Sequence, residues 1–209
     1  DMLNDINDAK QKLVMAWPHI INESRLALGS ELFYQAVVYH CLRTYGQVPI
    51  EQLGMNVKMY IANPVSQLFR VLDSRKHSDY QGGFEPIPDV CLFSQTVQAD
   101  WRRRNKTITL ASLLLAIEVK ASERAKGRLR SGEIIGDIEK LAAHRQEAEA
   151  YGASFFPVMM VIDTAPLANE RMTNKSLLAS QAKATEHKVG FLYVSPTLEI
   201  NTVKPDLMV

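Results

Sequence analysis

A chain of 209 residues with 46% hydrophobic and 22% charged side chains has the composition of one globular domain, long enough to bury a core without disulfide or metal staples. Its longest apolar stretch, residues 113–117, is far too short to span a bilayer, and no secretory signal pattern opens the chain, which argues against a membrane protein. Net charge is only +1, yet residues 101–130 hold nine basic side chains and two acidic ones, so +7 sits in that stretch and −6 on the rest.

In chain order, Leu3, Ile6, Leu13, Val14 and Trp17 recur at helical spacing and predict a helix over 3–17, ended by Pro18. Ser30 reads as the N-cap of a helix over 31–45, stopped by Gly46. Val57, Met59 and Ile61 alternate and predict a strand over 57–62, broken at Asn63-Pro64. Residues 73–88 are polar, with Gly82-Gly83 and two prolines, and read as a loop. A short strand is expected over 89–94. Residues 107–120 are apolar and partly β-branched, and their Ile-Glu-Val-Lys ending favours a longer strand. An amphipathic helix is expected over 131–151, with Ile134, Ile138, Leu141 and Ala148 facing inward and Gly152 as its stop. A buried strand over 155–163, a polar helix over 178–188 and a last strand over 190–194 complete the series. Residues 177–189 have the length of a crossover between parallel strands. The order implies an α/β domain: a central mixed β-sheet flanked by helices, with an N-terminal helical extension (1–29), a core (about 30–195) and a C-terminal tail (196–209). Cys41 and Cys91 have no metal-ligand spacing and make no disulfide framework, so a reducing cytoplasm is the expectation.

A sparse set of charges interrupts the apolar runs. Asp89 follows Pro88, and Glu118-Val119-Lys120 comes twenty-nine residues later at the end of the longest run. Residues two apart in a strand share a face, so Glu118 and Lys120 present a carboxylate and an amine together while Val119 points into the apolar layer. With Asp89 on a neighbouring strand, two carboxylates and the Val119 backbone carbonyl make an oxygen-rich nest suited to Mg²⁺, with Mn²⁺ as a substitute. Burying these charges is costly unless a cation and an anionic substrate compensate. The basic stretch supplies the rest: Arg102, Arg103 and Arg104 after Trp101, then Lys126, Arg128 and Arg130, are candidate phosphate contacts.

Pro88-Asp89 followed by Glu118-Val119-Lys120 resembles the PD-(D/E)XK nuclease superfamily, whose fold is restriction-endonuclease-like. The resemblance covers about residues 85–165. It implies metal-dependent phosphodiester hydrolysis, most often of DNA, with Asp89 and Glu118 as metal ligands and Lys120 as the catalytic lysine. Members often add a glutamate from a preceding helix, and Glu31 is the matching position. The segment from Asp137 to Leu141 resembles the helix after the lysine strand, which makes Lys140 a candidate substrate contact. Dimerisation is common in the superfamily where both strands are cut, so a homodimer is one open expectation. Each residue also has a plainer reading. Asp89 can cap a strand, Glu118 and Lys120 can guard an edge strand, and Glu31 suits any helix first turn. Two rivals follow: a catalytically inactive nucleic-acid-binding module of the same fold, and a protein-interaction domain whose charges are surface decoration.

Overall fold

A computed structural model describes residues 1–207. Its elements are α1 (Ile6–Leu26), α2 (Glu31–Thr44), β1 (Leu53–Met55), β2 (Ile61–Ala62), α3 (Gln67–Ser74), β3 (Gly83–Phe84), β4 (Val90–Phe93), α4 (Lys106–Ser112), β5 (Leu113–Ala121), α5 (Ser131–Ala150), β6 (Phe156–Ile162), α6 (Asn174–Glu186), β7 (Gly190–Val194) and β8 (Glu199–Asn201). Six strands form one mixed sheet in the order β1-β4-β5-β6-β7-β8, and β2 and β3 form a separate two-stranded ribbon. β5, β6 and β7 are parallel; β1, β4 and β8 join antiparallel. The α/β architecture with a mixed sheet is the one expected. Among the described residues no helix is long and apolar enough to cross a membrane.

The sheet is covered on both faces, which its near-continuous apolar strands require. On one side, Leu13, Trp17 and Ile20 of α1 and Val38 and Leu42 of α2 pack with Leu115, Ile117, Val119 and Met160. On the other, Ile134, Ile138 and Leu141 of α5 and Leu177 of α6 pack with Ala116, Met159, Val161 and Phe191. Period-two alternation thus hands successive residues of β5 to opposite layers. Glu118 and Lys120 fall on the α5 side and are the only incompletely buried positions on that strand.

Four local expectations need correction. Pro18 does not end α1; it lies inside it. An interior proline costs about 3 kcal/mol, but Leu13, Ala16, Trp17, Ile20 and Ile21 are buried on both sides of it, at roughly 1.5–3 kcal/mol for each large apolar side chain. Residues 107–120 are not one strand, because α4 occupies their first half and the strand starts at Leu113. Within that short helix Thr109 Oγ1 donates back to the Asn105 carbonyl at 2.6 Å, and the Ser112 carbonyl at its end accepts from Ser94 N, so local and tertiary bonds override β propensity. Of residues 57–62 only Ile61 and Ala62 pair, with Phe84 and Gly83; Val57 and Met59 are buried as core beneath the ribbon instead. The expected C-terminal tail contributes β8, which pairs with β7.

One buried acid ties the outer layer to α5. Glu147 accepts from the backbone N–H groups of Val65 (3.2 Å) and Ser66 (2.8 Å), at the start of α3. Hydrogen bonds to a charged group contribute roughly 1.5–3 kcal/mol, and their loss leaves two donors unpaired. Glu147→Ala should therefore lower the thermal midpoint by about 5–10 °C, and Glu147→Gln by about half as much. Differential scanning calorimetry of both variants checks this.

Candidate active site

The centre lies where the β4–β5 ladder stops. Register pairing runs as far as Val90 opposite Ile117, with Asp89 N donating once more to the Ile117 carbonyl at 3.1 Å. Val119 N donates instead to the carboxylate of Asp89, Oδ2, at 2.7 Å. The side chain of Asp89 thus replaces backbone at the end of the ladder, which fixes it against β5. In an extended strand a residue's N–H and C=O project to the same edge, so the Val119 carbonyl faces the Asp89 side as well. The carboxyl groups of Asp89 and Glu118 come within hydrogen-bonding reach of each other.

That proximity is electrostatically costly. Two like charges about 4 Å apart repel by roughly 4 kcal/mol at an effective dielectric near 20, and burial adds to this. Burial, and then the Asp89 and Asp137 carboxylates, push Glu118 well above the ordinary glutamate range. Burial also raises Asp89, although the Val119 N–H and Glu118 pull it down. The pair therefore retains a proton well above the pH at which free carboxylates lose theirs.

Lys120 Nζ stands 3.3 Å from Asp137 Oδ2 and 3.9 Å from Glu31 Oε1. Burial lowers its affinity for a proton, but Asp137 and Glu31 more than offset that, so its pKa is raised and it is an ammonium at neutral pH. The Asp137 contact is ionic without hydrogen-bond geometry: Oδ2 is buried and has no hydrogen-bond partner. Glu31 reaches the end of β5 from the first turn of α2, whose N-terminus is held by Glu123 Oε2 accepting from Glu31 N at 2.6 Å. Burial raises Glu31, with Lys120 lowering it in part and Glu123 and Asp89 raising it further.

Two clefts flank these side chains. One, of about 130 Å³, is lined by Glu31, Lys120, Ser122, Arg124, Arg128 and Glu133. The other, of about 260 Å³, is lined by Phe84, Pro86, Pro88, Glu118, Asp137 and His144, among others. Glu118 and Lys120, on one strand face, thus border different clefts.

The four expected catalytic positions, Glu31, Asp89, Glu118 and Lys120, and the Val119 backbone converge at this one place. The expected basic contacts divide. Lys140 is exposed on the larger cleft and makes no ion pair with the described residues. Arg104, Lys126 and Arg130 are exposed. Arg102 is taken by Asp100 (2.8 and 2.7 Å) and Arg103 by Glu85 (3.0 and 3.1 Å). Arg128 borders the smaller cleft, but its guanidinium donates to the carbonyls of Ala168 and Arg171. Two residues were overlooked as site candidates, Asp137 and His144. Both lie on the buried stripe of α5 with Ile134, Ile138 and Leu141, and a polar residue at such a position is the signal that marks them.

Comparison with family models, curated proteins and solved structures finds no match for this chain, so the reading of the centre rests on its own geometry. Among the described residues no three His, Cys, Asp or Glu side chains are grouped so as to hold an ion. Asp89 and Glu118 can still offer oxygens together with the Val119 carbonyl, a donor set that fits a hard divalent cation with water completing its shell. The raised pKa of both carboxyls, set by burial and by their mutual repulsion, agrees with that fit.

The electrostatics predict a pH profile. A carboxyl raised on folding stabilises below its unfolded pKa, and that contribution is lost as pH rises through its folded pKa, so the Asp89–Glu118 pair weakens the cation-free fold towards neutral pH. His144 acts oppositely: burial lowers it from 6.5 to about 3, so its contribution is present above pH 6.5 and is lost on acidification towards 3. In chelator, Glu118→Gln should raise the thermal midpoint at neutral pH by about 2–4 °C, the size of about 1 kcal/mol. Its urea-unfolding free energy should then fall from about pH 6.5 downward through His144, by up to ~1.4 kcal/mol per pH unit, a loss partly offset at lower pH by the raised carboxyls of Asp89 and Glu31. A Glu118→Gln protein less stable than wild type at neutral pH would remove the electrostatic account.

Proposed function

We propose that this protein is a metal-dependent nuclease of the PD-(D/E)XK type, built on a restriction-endonuclease-like core and hydrolysing phosphodiester bonds, with DNA as the substrate. The observation that carries the proposal is the Asp89 carboxylate seated on Val119 N–H at 2.7 Å and against Glu118, with the Lys120 ammonium on the same strand face as Glu118. Pro-Asp and Glu-X-Lys pairs are common in sequences; their convergence at the end of one ladder is not.

Asp89, Glu118 and the Val119 carbonyl are the groups that would hold Mg²⁺ or Mn²⁺. Bound there, the ion would polarise a phosphoryl oxygen and lower the pKa of coordinated water. The chain's own residues supply the remainder. Asp89 is locked by the Val119 N–H and cannot swing away. Glu118 gives up its retained proton when positive charge arrives, so cation binding and proton release are linked. Lys120, held as an ammonium by Asp137 and Glu31, can orient water or stabilise charge building on the phosphoryl group. Asp137 and Glu31 position that ammonium from two sides. Among the described residues Arg104 and Lys140 are exposed cations without an ion pair, Lys140 on the larger cleft, suited to the sugar-phosphate backbone.

Plasmid, linear DNA and RNA incubated with Mg²⁺, Mn²⁺ or chelator should show metal-dependent cutting of DNA. Lys120→Ala should lower it by roughly 10²–10³-fold, the usual size for removal of one transition-state donor, and Asp89→Ala should abolish it. Cutting that survives both substitutions would assign the activity to another centre, and binding without cutting would select an inactive binding module.

The division among the basic residues gives a separate expectation. For duplex binding, the Arg104→Ala/Lys140→Ala double variant should flatten the dependence of log K on log salt by about 1.8, or about 0.9 per lost phosphate contact. Arg102→Ala/Arg103→Ala should change it less, because Asp100 and Glu85 already neutralise those guanidiniums. Fluorescence anisotropy across a salt series distinguishes the pairs.

A further inference from the structure

The first turns of α2 invert the usual amphipathic pattern. Leu32 and Phe33 are 65% and 40% exposed, whereas two polar side chains one turn apart, Glu31 and Gln35, share the inward face. Glu31 reaches Lys120. Gln35 is 8% exposed and is the one amide among the buried residues of α2, the others being Tyr34, Val37, Val38, Cys41 and Leu42. An apolar side chain would fill such a position at no cost, and a buried amide needs a partner.

That partner is Asn56, whose Nδ2 donates to Gln35 Oε1 at 3.2 Å. Asn56 directly follows β1 and stands in the left-handed region, with φ 50°, where asparagine is tolerated better than most residues. From there its backbone N–H donates to the Asp89 carbonyl at 3.0 Å. Asp89 is thus held from both sides. Its own N–H donates to the Ile117 carbonyl of β5 at 3.1 Å, and its carboxylate accepts from Val119 N at 2.7 Å. On the other side β1 is only three residues long, and among the described residues the Gln35–Asn56 bond is the one side-chain hydrogen bond that ties its end to α2.

We propose that Gln35 and Asn56 are positioning residues for Asp89: the amide pair fixes the turn after β1 on α2, and that turn holds the Asp89 backbone so that its carboxylate stays against Val119 and Glu118, in place for a divalent cation. The cation itself belongs to the nuclease reading, on which this inference rests. Helix α2 then serves both charges of the centre, Lys120 through Glu31 and Asp89 through Gln35 and Asn56. Groups that orient a metal ligand from outside commonly change cation affinity by about 10–100-fold when removed. Neither amide is a ligand, so their loss acts on how tightly the cation is held and not on the chemical step once it is bound.

The test titrates the whole protein with Mn²⁺, without nucleic acid, and reads the free ion by electron paramagnetic resonance. Gln35→Met keeps the side-chain length and removes the acceptor. Asn56→Gly removes the side-chain amide, keeps the N–H that bonds Asp89 and suits the left-handed backbone. Each should raise the Kd for Mn²⁺ about tenfold, and the double variant no further than either alone, because both act through one bond. In chelator both should melt within about 3 °C of wild type. Leu32→Gln, on the exposed face of the same turn, should bind Mn²⁺ as wild type does. In cutting assays the Mg²⁺ concentration for half-maximal rate should rise about tenfold, with the rate at saturating Mg²⁺ and the KM for DNA unchanged. Wild-type Mn²⁺ affinity in both single variants, with or without a lowered melting point, or additive losses in the double variant, would reduce the pair to structural support of β1 and leave the nuclease reading standing. A wild-type protein that neither binds Mn²⁺ nor cuts would remove that reading and this inference with it. Mn²⁺ binding that responds to both substitutions in a protein that never cuts would keep the positioning role and discard the nuclease.

Discussion

Everything at the candidate site depends on how one sheet ladder ends. The β4–β5 pairing stops at Val90 opposite Ile117, and the Val119 amide beyond it is taken by the Asp89 carboxylate at 2.7 Å. The aspartate side chain thereby caps the end of the ladder. Glu118, the residue before the capped Val119, then brings a second carboxyl group against the first. The fold thus holds two acids together that would separate in water. Holding them together is electrostatically costly while no positive charge lies between them.

The lysine obeys the complementary logic. An ammonium partly removed from water tends to lose its proton, yet Lys120 has its pKa raised, because Asp137 and Glu31 approach it from α5 and α2. Each comes from a different layer of the sandwich. The charge on Lys120 therefore depends on both helix layers being docked on the sheet, and tertiary packing and site electrostatics are one problem. This also explains why α2 begins where it does: Ser30 and Glu123 satisfy the N-terminal amides of Phe33 and Glu31, which places Glu31 at the end of β5 instead of at a free helix end.

Much of this was legible from residue patterns, and the parts that were not have identifiable causes. The α/β class, the long helix after Lys120, the crossover helix and the parallel strands follow from apolar periodicity and length. Convergence of Asp89 with Glu118 was an expectation from spacing alone. Pro18 misled because burial on both sides of it outweighs a local breaker. Residues 107–120 misled because α4 is fixed by side-chain bonds that β-branched composition does not reveal. The two-stranded ribbon was hidden since its pairing is only two residues long. Asp137 and His144 were readable in principle, as polar interruptions of the Ile134–Leu141 stripe, but a stripe shows which face is buried and not what lies across from it.

Those two interruptions fall on one helix face seven residues apart, two turns, and they bracket the larger cleft from end to end. Their environments differ in kind. Asp137 Oδ2 stands 3.3 Å from the Lys120 ammonium. His144 is a neutral ring in an apolar floor, with a nitrogen that nothing in the chain satisfies. At Asp137 helix α5 is more than a packing element, because that side chain helps hold the Lys120 ammonium from the layer opposite Glu31.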